Sequence, residues 1–116
     1  ILPALPLAEK ISRKVAAQGF EWEKEDDLLD CFKSEIVEFS EAKTQQEKED
    51  EMGDILFCAV NLARWHNIDP ERALAHANRK FIKRFNKLEE LSKKPLKDLS
   101  LEEYDELWKK AKQLTK

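Results

Sequence analysis

Apolar residues recur along most of the chain at the three- and four-residue spacing that is typical of amphipathic helices. No stretch shows the strict alternation of apolar and polar residues that would indicate a strand. The pattern predicts five helices, over residues 4–18, 25–43, 45–66, 70–92 and 101–115. We therefore expect an all-α fold in one domain over residues 1–116, an antiparallel bundle of four main helices plus a short C-terminal helix.

Residues that begin or end helices lie between the predicted segments. Ser or Thr followed three residues later by Glu is a capping box, Asp is a good N-cap, Pro favours the first helical position, and Gly favours the position after the end. The residues concerned are Gly19, Thr44 with Glu47, Asp69 with Pro70, and Ser100 with Glu103.

The third predicted helix carries the stretch DEMGDILFCAVNLAR, residues 50–64, which is apolar around more than half of its circumference. A helix with so wide an apolar surface is usually enclosed by other helices, and we expect the same here. Glu51 and Asp54 nevertheless project from the apolar side. Because a buried carboxylate without a partner is costly, we expect cations to face both residues.

The second predicted helix carries a similar pair, Glu35 and Glu38, one turn apart on one face. A short turn between antiparallel helices would bring the two pairs together. Four carboxylates within about 5 Å repel by roughly 3 kcal/mol per pair at an effective dielectric constant of about 20. Oxygen ligands of this kind select Mg²⁺, with Mn²⁺ as a substitute. The pattern thus predicts a metal site formed by Glu35, Glu38, Glu51 and Asp54.

Two other interpretations of these acids follow from the sequence. The four residues can be ordinary solvated charges, since the chain has 24 acidic residues. The spacing alone leaves this alternative and the metal site open. A carboxylate di-iron bundle would need Glu-x-x-His on two helices, and neither His66 nor His76 has that spacing. We expect both histidines to be surface residues.

Cationic and aromatic residues in the second half of the chain are candidates for ligand contacts. Lys80 and Arg84 lie four residues apart on the apolar side of the fourth helix. Their long stems can simply follow apolar surface, or together with a metal they can neutralise a polyphosphate. Asn78 is either a surface amide or a ligand contact, and Trp108 is either a core residue or a base-stacking residue.

Composition and charge exclude several classes of protein. With 39% charged residues, two Gly and four Pro, the chain is suited to long regular helices. A net charge of −3 gives no reason to expect binding to a nucleic acid polymer, and no apolar run is long enough for a membrane span. Cys31 and Cys58 indicate free thiols in a reducing, cytoplasmic environment. Because the chain begins at Ile1, we expect it to be part of a longer protein.

Several segments in collinear order resemble the MazG family of nucleoside triphosphate pyrophosphohydrolases, and most closely the C-terminal catalytic domain of its bacterial two-domain members. The resemblance covers nearly the whole chain and implies a MazG-like fold. The segments are GFEW at 19–22, ExxE at 35–38, DEMGDILFCAVNLAR at 50–64, ANRKFIKRF at 77–85 and ELWKKAK at 106–112.

The resemblance also implies roles for individual residues. The family's carboxylate set corresponds to Glu35, Glu38, Glu51 and Asp54, which would hold Mg²⁺ on the triphosphate. Lys80 and Arg84 would contact phosphates, and Trp108 would lie near the nucleotide. The chain departs from the family pattern at two positions: Ser34 replaces the first Glu of EExxE, and Asp50 the first Glu of EExxD. Neither is a predicted ligand.

The implied activity is the hydrolysis of NTPs and dNTPs to a nucleoside monophosphate and pyrophosphate, in housecleaning of the nucleotide pool. Glu38, at the border of the apolar stripe, is the predicted general base. The resemblance and the surplus of apolar residues both favour a homodimer. The alternatives are a non-catalytic helical dimerisation module with a vestigial metal site and, within the same superfamily, a dUTP or dCTP pyrophosphatase.

Overall fold

The computed structural model describes residues 1–116 and contains helices but no strands, which confirms the all-α fold class. Each α-helix ends one or two residues before its predicted end, and a short 3-10 helix, Leu96–Asp98, lies in the predicted loop after the fourth helix. The α-helices are α1 Ala4–Ala17, α2 Glu25–Glu41, α3 Gln45–Trp65, α4 Pro70–Leu91 and α5 Leu101–Leu114. The contacts divide the chain into two compact units, Ile1–Ala73 and Leu74–Lys116.

The predicted capping residues are found at the helix ends. Ser100 and Glu103 form a complete capping box at the start of α5. Thr44 accepts a hydrogen bond from the Glu47 backbone N–H (3.1 Å), which is one half of the predicted box. The predicted N-cap of α4 likewise accepts a hydrogen bond from the backbone of the first turn. After α1, Gly19 has a φ of +99°, a conformation that other residues rarely adopt.

The first unit is built around α3, which packs against both α1 and α2. Leu28 of α2 is buried there, and so are Cys58 and Val60 of α3. Two polar side chains, those of Ser12 and Asn61, are buried as well. The packing of α1 and α2 on α3 therefore encloses polar groups together with apolar ones.

The expectation that α3 is enclosed on all sides is wrong for this chain. Leu56 is 59% exposed and Met52 is 39% exposed, because the contacts with α1 and α2 cover other sides of the helix. On α1, Ile11 is 42% exposed. Periodicity identified the apolar positions correctly, but several of them form surface rather than core.

The second unit contains most of α4, the 3-10 helix and α5. Leu88 of α4 and Ala111 of α5 are buried. The ring of Phe81 lies 5.2 Å from the ring of Trp108, measured between centroids, and 6.2 Å from that of Phe85. Trp108 thus packs against an aromatic side chain of α4. No helix in the structure combines the length and the apolar character needed to cross a membrane.

Candidate metal centre

Acidic side chains from two consecutive helices meet at one place in the first unit. Glu35 and Glu38 on α2 and Glu51 on α3 each offer a carboxylate oxygen, and these oxygens all lie within 4.8 Å of one another. A second set of the same compactness joins Glu51 with Asp50 and Asp54. Because Glu51 belongs to both sets, the four predicted ligands come together in one acidic cluster, and Asp50 joins them.

The acidic cluster is half-buried on its inner side and exposed on its outer side. Glu35 and Glu51 are half-buried, whereas Glu38 and Asp54 are exposed. The expectation that Asp54 lies on a buried face is wrong, since Asp54 is exposed together with its neighbours Met52 and Leu56. One oxygen of Glu35 and one of Glu51, the Oε2 atom in each case, are buried and receive no hydrogen bond.

No lysine, arginine or histidine forms an ion pair with any residue of the acidic cluster. The cations that we expected to face Glu51 and Asp54 are therefore not basic side chains of the chain in ion-pair contact with them. Burial, together with the adjoining Glu38 carboxyl, raises the pKa of Glu35 to about 7. Burial also raises the pKa of Glu51. Without a cation, protons relieve the repulsion between these carboxylates.

The donor set of the acidic cluster fits a hard metal ion. All of its ligand atoms are carboxylate oxygens, which are the ligands preferred by small divalent cations. The two buried oxygens without hydrogen-bond donors are acceptors that a cation would satisfy. Glu35, Glu38, Glu51 and Asp54 could therefore hold a metal ion.

A cavity of about 310 Å³ in the first unit has Glu35 and Asp54 in its wall. Aromatic residues from the turn after α1 and from α3 form part of the same wall, and so do both cysteines. Its uncharged polar side chains and its arginine come from α1 and α3. The residues other than the two acids are Ser12, Val15, Phe20, Trp22, Cys31, Phe57, Cys58, Asn61 and Arg64. The acidic cluster thus adjoins a partly aromatic recess.

The polar lining of the cavity is a hydrogen-bonded network that the sequence analysis missed. Arg64 donates to both carboxylate oxygens of Glu21, at 2.6 and 2.8 Å, and its Nε donates to Ser12 Oγ at 2.6 Å. Ser12 donates to Asn61 Oδ1 at 2.5 Å. The hydrogen bonds from Arg64 lower the pKa of Glu21. The sequence signals of this network were the polar residues Ser12 and Asn61, each within the apolar pattern of its helix.

The two cysteines are free, as predicted. Cys58 is buried and Cys31 is partly buried. Burial, and next the adjoining Cys31 sulfur, raise the pKa of the Cys58 thiol to about 12. Because the thiolate is the reactive form, Cys58 is an inert, structural thiol at neutral pH.

The remaining predicted site residues lie in the second unit. Lys80 and Asn78 are exposed on α4. Arg84, four residues after Lys80, is half-buried, and its Nε is buried without a hydrogen-bond acceptor. Trp108 is half-buried against Phe81.

The histidines are surface residues, as the sequence indicated. His66 is exposed and its Nε2 lies 2.7 Å from an oxygen of Glu25. His76 is exposed on α4. Neither belongs to the acidic cluster, so the geometry gives no support to a di-iron site with Glu-x-x-His ligands.

Fold and site together define an all-helical protein with an oxygen-only candidate metal centre on adjacent helices. The model of the phosphoribosyl-ATP pyrophosphohydrolase family, PRA-PH, matches residues 7–81, which is more than half of the chain. The chain therefore belongs to this family.

Individual relatives agree with the predicted resemblance. The chain is 44% identical over 115 residues to the nucleoside triphosphate pyrophosphohydrolase/pyrophosphatase MazG of Thermotoga maritima, and 38% identical over 119 residues to a nucleoside triphosphate pyrophosphohydrolase of Escherichia coli K12. These alignments cover 97% and 96% of the chain but only 45% of each relative. The uncharacterized protein YabN of Bacillus subtilis is 47% identical over 77 residues, 64% of the chain and 16% of YabN. The MazG-like character predicted from the motifs is confirmed.

Proposed function

We propose that the chain catalyses the Mg²⁺-dependent hydrolysis of nucleoside triphosphates, NTPs and dNTPs, to a nucleoside monophosphate and pyrophosphate. The observation that carries this proposal is the acidic cluster, in which Glu35 and Glu51 bury carboxylate oxygens that no donor of the chain satisfies and that a cation would. The names of the two relatives supply the reaction. Because the chain spans less than half of each, the activity is proposed for residues 1–116 acting as one MazG-like domain.

Glu35, Glu38, Glu51 and Asp54 are the proposed ligands of Mg²⁺, with Mn²⁺ as a substitute. When bound, such an ion offsets the negative charge of the phosphates and lowers the pKa of a water molecule. The half-buried Glu35 and Glu51 would fix the position of the centre. The exposed Glu38 and Asp54 would form its outer side, where a substrate can reach it.

Glu38 is the proposed general base. Its carboxylate is exposed, and it lies within the acidic cluster, so it can reach both solvent and the reacting group. It would accept a proton from water as the water oxygen attacks the α-phosphorus. The bond from that phosphorus to the bridging oxygen then breaks, and pyrophosphate leaves with the bond's electron pair. Glu38→Gln should leave metal binding mostly intact and abolish turnover, and an active Gln variant would contradict the assignment.

Lys80 and Arg84 are the proposed phosphate contacts, with Asn78 and Trp108 as further contacts to the nucleotide. The buried Nε of Arg84 supports this role, since a buried guanidinium donor without an acceptor is costly and an anionic ligand would satisfy it. Trp108 presents a large aromatic ring whose neighbour is Phe81.

A homodimer in the cytoplasm is the proposed state of the protein. Leu56 and Ile82 are each 59% exposed and Leu101 is 85% exposed, and so much apolar surface is unusual for a monomer. The free cysteines are typical of a reducing compartment. Light scattering on a sizing column should give twice the chain mass, and a stable monomer at micromolar concentration would contradict the dimer.

A pyrophosphate-release assay over a panel of NTPs and dNTPs tests the activity. We expect release of pyrophosphate with Mg²⁺ or Mn²⁺ and none with a chelator. Release of orthophosphate would contradict the proposed bond cleavage. Stabilisation by Mg²⁺ without any turnover would instead favour a non-catalytic module. Glu49→Gln, at an exposed position of α3 outside the acidic cluster, is the matched control and should retain activity.

A further inference from the structure

The hydrogen-bonded network in the cavity wall has a direction that chemistry fixes. A guanidinium can only donate, so Ser12 Oγ must accept from Arg64 Nε. Ser12 is fully buried, so its single hydroxyl hydrogen needs an acceptor, and Asn61 is the partner that the structure provides. Glu21 holds the other end of Arg64 through two hydrogen bonds. The network therefore runs from Arg64 through Ser12 to Asn61.

This direction determines which end of the Asn61 carboxamide is free. Its oxygen is occupied by the Ser12 hydroxyl. The reverse orientation of the carboxamide would leave a buried hydroxyl hydrogen without an acceptor, which is unfavourable. The NH₂ group is consequently the free end, and it makes no hydrogen bond within the chain. Asn61 as a residue is only 6% exposed, but its Nδ2 is not sealed from solvent as Glu35 Oε2 and Glu51 Oε2 are, so this free donor lies at the surface of the cavity that Asn61 lines.

The place of Asn61 identifies what would accept its hydrogen bond. Asn61 lines the cavity that also has Glu35 and Asp54, two proposed metal ligands, in its wall. Phe20, Trp22 and Phe57 give the same wall an aromatic character. A volume of about 310 Å³ lies at the lower end of the ~300–1,000 Å³ that is usual for small-molecule sites. An aromatic recess beside a phosphate-binding metal centre is suited to a flat heterocycle.

We infer that this cavity receives the nucleobase and that the Asn61 NH₂ donates a hydrogen bond to a carbonyl oxygen on its edge. The inference rests on the proposed function, because Glu35 and Asp54 belong both to the proposed phosphate-binding centre and to the wall of this cavity. Uracil, thymine and guanine carry a carbonyl where cytosine and adenine carry an amino group. Asn61 is thus a specificity residue that favours keto bases, and Ser12 and Arg64 are positioning residues that fix its orientation.

The comparison of UTP with CTP tests the inference, since uracil carries a carbonyl at C4 and a hydrogen on N3 where cytosine carries an amino group and a bare nitrogen. One hydrogen bond gained or left unmade is worth about 1–1.5 kcal/mol, so we expect kcat/KM to favour UTP by about tenfold. Asn61→Asp keeps the oxygen that accepts from Ser12 and replaces the NH₂ donor by an acceptor, which should reverse the preference towards CTP. Ser12→Ala releases the carboxamide and should bring the ratio towards one. Asn86→Asp, at an exposed position of α4, should leave the ratio unchanged.

Binding of UMP and CMP, measured by calorimetry, separates this inference from the proposed activity. Tighter binding of UMP that Asn61→Asp reverses would support the inference even if no triphosphate is hydrolysed. Hydrolysis of both triphosphates with the same UTP to CTP ratio in the parent, Asn61→Asp and Ser12→Ala would overturn the inference and leave the proposed function standing. Circular dichroism of each variant establishes that it is folded. Should Asn61→Asp not fold, the parent ratio and Ser12→Ala still decide the question.

Discussion

Glu35 on α2 and Glu51 on α3 each bury one carboxylate oxygen that no donor of the chain reaches, and they do so within the same acidic cluster. Burial raises the pKa of both residues, and the neighbouring Glu38 carboxylate adds to the rise in each case. Protons and metal ions therefore compete for the same oxygens. Metal binding should weaken as the pH falls, and it should release protons near neutral pH.

The pKa of Glu35 predicts how the metal-free protein responds to pH. The folded-state pKa of about 7 lies above the ordinary value of 4.5, so ionisation of Glu35 destabilises the fold. This penalty is absent below the ordinary pKa, grows between the two values and is complete above the raised one. In chelator, Glu35→Gln should raise Tm by a few degrees at about pH 8 and have little effect at about pH 4.5. Differential scanning calorimetry checks this, and an equal effect at both pH values would contradict it.

Removal of Glu51, the half-buried ligand that both sets of carboxylates share, should abolish the response to Mg²⁺. In the parent, Mg²⁺ binds the folded state and should raise Tm. In Glu51→Gln this rise should disappear, and kcat/KM should fall at least about a hundredfold, since even residues that only orient metal ligands cost 10–100-fold. Thermal unfolding with and without Mg²⁺ and the pyrophosphate assay are the measurements. Glu49→Gln carries the same change at an exposed position two residues before Glu51, outside the acidic cluster, and should behave like the parent. A full Mg²⁺ response in Glu51→Gln would exclude Glu51 as a ligand.

The cations of α4 should affect substrate binding more than metal binding. Arg84→Ala removes the guanidinium whose buried Nε has no acceptor, and it should raise KM by about tenfold or more, as expected for the loss of a charge-assisted hydrogen bond. Lys80→Ala should act in the same direction. The Mg²⁺-induced rise in Tm should be unchanged in both variants. Lys83→Ala, at an exposed position between them, is the control. An unaltered KM in Arg84→Ala would argue against a phosphate contact.

How much of this molecule the sequence reveals depends on how far apart the interacting residues are. The cap at Ser100 and the acidic cluster were predictable, because the first is local and the second joins two helices separated by a short turn. The exposure of Leu56 was not, since periodicity shows which positions are apolar but not what covers them. The network around Arg64 joins this residue to Glu21 and Ser12, which lie 43 and 52 positions earlier in the chain. Only the packing of the helices brings them together.

The Arg64–Glu21 pair should stabilise the first unit, and its contribution should depend on pH. The Arg64 side chain is only 9% exposed, so removal of its partner leaves a nearly buried charge. Glu21→Gln should lower the free energy of unfolding by about 1–3 kcal/mol at neutral pH. Arg64 lowers the pKa of Glu21, so the stabilisation is complete above the ordinary pKa of 4.5 and is lost as the pH falls through the lowered value. The difference between parent and variant should therefore shrink on acidification, which urea unfolding at neutral and at acid pH measures.

Glu9→Gln breaks an exposed pair within α1 and should cost less than about 1 kcal/mol at either pH. A Glu21→Gln variant as stable as the Glu9→Gln control would mean that the ion pair contributes no more than a surface contact.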